Sequence, residues 1–122
     1  MNIKTITIGK NQVSEIESQD VIIRNTQDVL DIIGEIQYGD VVSEHIILHD
    51  YNFEKDFFDL STRKLGDILQ KFTNYRVKLA VIGNFDTYPS KTLKDFIYES
   101  NRHGDYLFVS SMDQVQKAWN TW

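Results

Sequence analysis

The sequence of 122 residues contains no cysteine and a single proline, Pro89. A chain without cysteine forms no disulfide, no thiol nucleophile and no zinc–thiolate centre. Because cytoplasmic proteins rarely carry disulfides, the lack of cysteine also agrees with the cytoplasmic location that we expect.

Long apolar runs are missing as well. The runs that occur, such as Ile46-Ile47-Leu48, are only a few residues long, whereas a membrane-spanning helix needs about 20 apolar residues. The first ten residues alternate isoleucine with polar residues and lack the apolar core of a secretory signal. We therefore expect no membrane partner.

Basic residues are too few for a dominant phosphate-binding surface. Lys and Arg number 13, and Asp and Glu number 18, which gives a net charge of −5. Proteins hold duplex nucleic acid mainly through clustered Lys and Arg side chains. We therefore expect no nucleic-acid partner.

The remaining pattern predicts a single domain over residues 1–122. Two segments rich in β-branched residues, 3–8 and 13–18, flank Gly9 and predict a β-hairpin. Short apolar runs predict further strands at 45–49, 77–82 and 106–109. Apolar residues at helical spacing predict helices at 26–38, 61–75 and 91–101, and a short C-terminal helix that begins at Ser111.

The order of these elements predicts an α/β fold. Helices that alternate with apolar strands imply right-handed crossovers and a largely parallel sheet, to which the N-terminal β-hairpin adds antiparallel strands. We therefore expect a single mixed sheet with about four helices. Gly39, Asn74 and Gly104 are expected to be left-handed residues at helix C-termini. Asn25 or Thr26, Ser90 and Ser111 are expected to cap the N-termini of three helices. Gly34 is expected to mark close packing of its helix against the sheet.

The middle of the sequence resembles a known family. Residues 57–83 include Phe-Phe-Asp-Leu-Ser-Thr, Gly-Asp-Ile-Leu-Gln-Lys-Phe and Asn-Tyr-Arg-Val-Lys-Leu-Ala-Val-Ile-Gly. Together with Asp95-Phe96-Ile97 and Glu99-Ser100-Asn101, this stretch resembles small bacterial proteins grouped as domain-of-unknown-function family 4180. The resemblance implies no activity, because none is established for that family.

A second, more distant likeness concerns topology. A strand that ends in an Asp-containing loop, a Ser/Thr at a helix start and a Leu-Ala-Val-Ile-Gly strand are similar to STAS domains, the fold of anti-sigma-factor antagonists. Those proteins bind a kinase partner, and the antagonists are phosphorylated on a serine in an Asp-Ser-Ser-Gly turn. The corresponding turn here is Asp59-Leu60-Ser61-Thr62, in which Leu60 stands at the first serine place. The resemblance implies a regulatory, partner-binding protein.

Two polar loops follow the predicted strands at 45–49 and 77–82. Ligands of open α/β sheets gather beyond the carboxyl ends of parallel strands. We therefore define these loops, residues 50–62 and 84–90, as the rim. The rim carries the six residues that we select as the candidate binding site: Asp50, Asp59, Ser61, Thr62, Asn84 and Asp86.

Several rim features have two interpretations. Converging carboxylates could hold a hard cation, but a solvated acidic surface is more common, and we assign no metal ligand and no cofactor. At the start of a helix, Ser61 and Thr62 could hold an anion with the help of Arg63 and Lys64. Alternatively, Asp59 or Ser61 simply caps that helix. Three aromatic residues of the first loop either fill the core or form a partner-docking patch: Phe53, Phe57 and Phe58.

No arrangement typical of catalysis occurs. The sequence has no Gly-x-Ser-x-Gly elbow, no phosphate-loop glycine signature and no discernible Ser-His-Asp arrangement. We therefore assign no catalytic residue and expect a non-enzymatic binding or regulatory module with a protein partner. The alternative is a small-molecule or phosphate-ligand binding protein, or a hydrolase, that uses Asp50, Asp59 and Asp86.

Overall fold

The computed structural model describes residues 2–39 and 41–120, which contain five strands and four α-helices. The strands are β1 (Asn2–Ile8), β2 (Asn11–Glu17), β3 (His45–His49), β4 (Lys78–Ile82) and β5 (Tyr106–Val109). The helices are α1 (Thr26–Tyr38), α2 (Lys64–Asn74), α3 (Lys91–His103) and α4 (Met112–Trp119). Within the described ranges, no helix combines the length and the apolarity needed to cross a bilayer.

The strands form one mixed sheet in the order β1-β2-β3-β4-β5. β1 and β2 pair antiparallel around a two-residue turn, and its first residue, Gly9, has a φ of 60°. Glycine adopts this positive φ without strain. The pairs from β2 to β5 are all parallel. The predicted fold class, a largely parallel sheet with an N-terminal hairpin and four helices, is confirmed.

The sequential strand order places three helices on one face of the sheet. Each right-handed crossover advances by one strand in the same direction, so α1, α2 and α3 cover the same face. Their buried residues form the larger core cluster with Ile46 and Leu48 of β3. Ile47 lies between these two and points to the other face. There it packs with Val115 and Trp119 of α4 in a smaller cluster.

Three helices begin at the capping residues that the sequence predicts. The side chains of Asn25, Ser90 and Ser111 each accept the backbone N–H three residues further on, at 2.9, 3.1 and 3.4 Å. Each bond satisfies one of the N–H groups that the first helical turn leaves without a partner. The starts of α1, α3 and α4 are therefore determined by local chemistry.

Two predictions about helix ends and one about packing are wrong. Gly39 follows α1 with a φ of −81°, so its backbone is extended rather than left-handed. After α2 the left-handed residue is Arg76, with a φ of 57°, rather than Asn74. A Cβ atom built on Gly34 meets no atom within 4 Å, so this glycine marks no close packing. Gly104, with a φ of 83°, ends α3 in the left-handed conformation as predicted.

Because the space around Gly34 is open, its substitution isolates helix propensity in α1. Gly34→Ala is expected to raise the free energy of unfolding by about 0.5–1 kcal/mol, the usual difference between the two residues in a helix. Urea unfolding followed by circular dichroism measures this change. The control is Gly39→Ala, whose Cβ would lie 2.7 Å from the carbonyl oxygen of Glu35 and should destabilise the protein. A Gly34→Ala variant less stable than wild type would contradict this prediction.

His45 is a buried histidine at the start of β3. It is 7% exposed, and its ring meets the Trp119 ring edge-on with 4.8 Å between centroids. Burial lowers the pKa of His45, the positive charge of Lys78 lowers it further, and Glu44 and Asp105 oppose the shift. In the unfolded chain this histidine therefore binds a proton at its ordinary pKa of 6.5, whereas in the folded protein the ring is protonated only at a lower pH.

Acidification is therefore expected to destabilise the protein through His45. The contribution of the neutral His45 ring to the free energy of unfolding is fully present above the unfolded pKa. It is lost as the pH falls below that value, with a slope of up to about 1.4 kcal/mol per pH unit for one proton. His45→Phe keeps an aromatic ring against Trp119 and should flatten this dependence. Thermal unfolding of both proteins between about pH 7.5 and pH 5.5 measures the slopes. Equal slopes would show that His45 is not responsible.

Candidate functional site

The parallel pairing of β3 and β4 brings the two loops of the rim together. His49 pairs with Ile82 at the ends of the two strands, so Asp50 and Gly83 follow side by side. A Cβ atom on Gly83 would lie 2.5 Å from Cγ of Asp50. The Asp50 side chain therefore packs directly against the glycine, and both acidic loops leave the sheet on the same side.

Aromatic side chains fill the space between the two loops. The Phe58 ring of the first loop lies 5.4 Å from Phe85 and 5.5 Å from Tyr88 of the second loop, measured between centroids. Phe53 and Phe57 continue the cluster on the side of the first loop. Phe53, Phe57 and Phe58 are each at most 2% exposed. Of the two interpretations of these residues, the one in which they fill the core is therefore confirmed, and the space between the two loops of the rim is filled by aromatic side chains.

Tyr88 connects the aromatic cluster to Asp50. Burial raises the pKa of the Tyr88 phenol, and the negative charge of Asp50 raises it further. A tyrosine hydroxyl is protonated at neutral pH even without this shift, so the Tyr88 hydroxyl is able to donate a hydrogen bond. Through Gly83 and Tyr88, Asp50 is the candidate residue that is most closely associated with the opposite loop.

Asp59, Ser61 and Thr62 form a hydrogen-bonded turn ahead of α2. The Asp59 carboxylate accepts the hydroxyl of Ser61 at 2.6 Å and its backbone N–H at 3.1 Å. These two bonds lower the pKa of Asp59, and the bond from the hydroxyl contributes most. The Thr62 hydroxyl lies 2.9 Å from the carbonyl oxygens of Asp56 and Asp59. The interpretation of Asp59 as a cap therefore fits the structure, although it caps this turn rather than a helix.

The predicted start of α2 at Ser61 is wrong. Residues Leu60–Thr62 form a separate 3-10 turn, and Arg63 then adopts a left-handed φ of 64° before the helix begins at Lys64. Ser61 and Thr62 therefore precede the N-terminus of α2, and the argument that its dipole holds an anion at these residues does not apply. The Lys64 ammonium is paired with Asp56 at 2.5 Å.

Asn84 and Asp86 lie exposed on the second loop. The Asn84 carbonyl oxygen accepts the hydroxyl of Thr87 at 2.8 Å, and the Asn84 side chain makes no capping bond. In residues 2–39 and 41–120, no group of three or more His, Asp or Glu side chains could hold a metal ion. The six candidate residues therefore share one side of the molecule without forming a metal cluster.

Five clefts of the described surface include none of the candidate residues in their linings. Their volumes are about 240–410 Å³. One of about 410 Å³ lies at the ends of β2 and β3, beside Glu15, Glu17, His49 and Tyr51. The His49 ring stacks on Tyr51, and its Nδ1 atom is buried with no hydrogen-bond partner in the described part of the chain. Sequence analysis did not select this cleft, because strand pairing alone brings its residues together.

Asn52 is a structural residue of the rim that sequence analysis missed. It is fully buried, and its Nδ2 donates to the carbonyl oxygens of Ser18 and Asp20 at 3.0 and 2.9 Å. Its Oδ1 accepts the backbone N–H of His49 at 2.8 Å. These bonds hold the segment after β2 against the first loop. A lone asparagine between two aromatic residues carries no sequence signal for such a role.

The contact between Asp50 and Gly83 can be measured by a double-mutant cycle. Gly83→Ala is expected to lower the free energy of unfolding by about 1–3 kcal/mol, the usual cost of overpacking. In an Asp50→Ala background the same substitution should cost less, because the Asp50 carboxyl group that the new methyl meets is gone. Urea unfolding of the four proteins gives the interaction energy. Strictly additive costs would contradict direct packing of the two residues.

Comparisons with known proteins place the chain in one family. The family described as Domain of unknown function (DUF4180) matches residues 8–119, which is nearly the whole chain. No curated protein and no solved structure matches the chain. The resemblance noted in the sequence is therefore confirmed at the level of the family, and the STAS likeness is not confirmed. The chain belongs to the family Domain of unknown function (DUF4180).

Proposed function

We propose that the protein is a non-enzymatic binding module of the cytoplasm, which engages a protein partner through the rim. The observation that carries this proposal is the filled interior of the rim. Phe58, Phe85 and Tyr88 occupy the space between the loops, so there is no room there for an enclosed substrate. A solid surface with polar side chains suits contact with a macromolecule better than enclosure of a small molecule.

The charges of the rim favour a partner with a basic surface. Within residues 50–62 and 84–90 the carboxylates outnumber the cations. The one cation is Lys55, and the carboxylates are Asp50, Glu54, Asp56, Asp59 and Asp86. Lys64, just beyond the rim, already pairs with Asp56. An acidic patch of this kind attracts a basic partner and raises the rate of association.

The proposal includes regulation at Ser61 or Thr62, in keeping with the STAS-like resemblance. The Ser61 hydroxyl donates to Asp59, and the Thr62 hydroxyl donates within the same turn. A phosphate on either residue would remove that donor and add a charge of about −2 next to the Asp59 carboxylate. Phosphorylation would therefore open the turn and change the shape of the rim.

The alternative function needs a different geometry. A hydrolase or a small-molecule binder would require Asp50, Asp59 and Asp86 to surround one pocket. The rings packed between the loops separate the two halves of the rim instead. This packing favours the binding module.

Charge reversal in the rim tests the proposed function. Tagged wild-type protein is compared with Asp59→Lys/Asp86→Lys and with the control Asp31→Lys/Glu35→Lys, whose positions are exposed on α1. Both double variants change the net charge equally. In affinity capture from lysate of the native host, we expect a partner on wild type and control, and at least about tenfold less of it on the rim variant.

Two outcomes would contradict the proposed function. One is a protein that emerges alone from repeated captures, and the other is a partner recovered equally with all three proteins. Circular dichroism of each variant shows whether the fold is retained, so that loss of the partner is not confused with unfolding.

A further inference from the structure

The two edges of the sheet differ in how their backbone groups are satisfied. At the β5 edge, the Asn101 side chain of α3 accepts the N–H of Phe108 at 2.8 Å and donates to its carbonyl oxygen at 3.1 Å. The Ser100 hydroxyl donates to the carbonyl oxygen of Tyr106 at 2.5 Å. Side chains of α3 therefore form hydrogen bonds with the outward-facing backbone groups of β5, so another strand could not pair with this edge.

The β1 edge has no such cover in the part of the chain that the structure describes. Ile8 and Asn11 flank the hairpin turn and face each other, so β1 bonds to β2 through alternate residues counted from Ile8. The residues of β1 that lie between these bonded residues are Ile3, Thr5 and Thr7, and their N–H and C=O groups point away from β2. Among residues 2–39 and 41–120, no side chain or backbone group outside the hairpin bonds to them.

We infer that β1 pairs antiparallel with β1 of a second copy of this chain, in a register centred on Thr5. In this register Thr5 faces Thr5 of the second copy, and Ile3 faces Thr7. All three outward-facing residues of each copy then form hydrogen bonds, which gives six bonds from three N–H groups per copy. The interface is symmetric, as the interfaces of most dimers are, and it joins the two sheets into one.

The side chains of β1 are complementary in the same register. On one face, the β-branched pairs Thr5–Thr5 and Ile3–Thr7 pack across the two strands. On the other face, Lys4 lies opposite Ile6 of the second copy, so no charge meets a like charge. Lysine in an edge strand usually discourages pairing. Here Lys4 faces Glu15 on β2 of its own copy, which places an opposite charge beside it. The surface is separate from the rim, so the inference does not depend on the proposed function.

Because the chain contains no cysteine, a single introduced thiol reports on the register. Thr5→Cys would place two thiols opposite each other with about 5.5 Å between their Cα atoms, which is within the range of a disulfide. Thr7→Cys would face Ile3 of the second copy and is the matched control. We expect mild oxidation to convert Thr5→Cys into a covalent dimer and to leave Thr7→Cys uncross-linked. Equal cross-linking of both variants, or of neither, would overturn the inference.

Sedimentation equilibrium provides the second readout. Wild type is expected to show twice the mass of one chain. Thr5→Glu would set two carboxylates opposite each other and should raise the dissociation constant at least about tenfold. Thr5→Val keeps a β-branched side chain and should remain dimeric. Thr5 is exposed, so both variants should keep the fold, which circular dichroism verifies. A wild type that stays monomeric at every soluble concentration, or a dimer unaffected by Thr5→Glu, would overturn the inference.

Discussion

Ile46, Ile47 and Leu48 of β3 are completely buried, and their side chains alternate between the two faces of the sheet. A strand that is apolar on both faces requires a layer of helices on each side. The three crossover helices supply one layer, because the sequential strand order brings all of them to the same face. The other layer is α4, which follows the last strand and is therefore not part of a crossover. The burial of β3 therefore accounts for both core clusters.

The same strand determines the character of the rim. Parallel pairing of β3 with β4 places Asp50 against Gly83, and the rings of Phe58 and Phe85 then close the space behind them. Asn52 holds the first loop to the segment after β2 with bonds that leave its amide satisfied. These loops bury their aromatic side chains in the core and expose polar side chains to solvent, so the polar side chains are held on a rigid support.

Helix α3 shows how one element can serve packing and pairing together. Leu93, near the start of the helix, is buried in the core. Asn101, near its end, forms the two hydrogen bonds with Phe108 that a further strand beside β5 would otherwise form. Bonds of this kind remove the free donors and acceptors that make sheet edges prone to association. In the described part of the chain, no side chain from a helix bonds to the outward-facing backbone groups of β1 in this way, although α4 packs against Ile8 on one face of the hairpin.

Patterns that are local in sequence were sufficient to predict the strands, the helices and the caps at Asn25, Ser90 and Ser111. Apolar periodicity reports which face of an element must be buried, and a cap needs only residues three positions apart. The sequence by itself therefore determined the order of elements, the parallel sheet and the loops that form the rim. Only the tertiary structure decided the late start of α2, the extended backbone of Gly39, the left-handed Arg76 and the role of Asn52. Asn52 bonds to Ser18 and Asp20, which only folding brings near it. The other three depend on the backbone geometry of individual turns, and neither kind of contact leaves a periodic trace in the sequence.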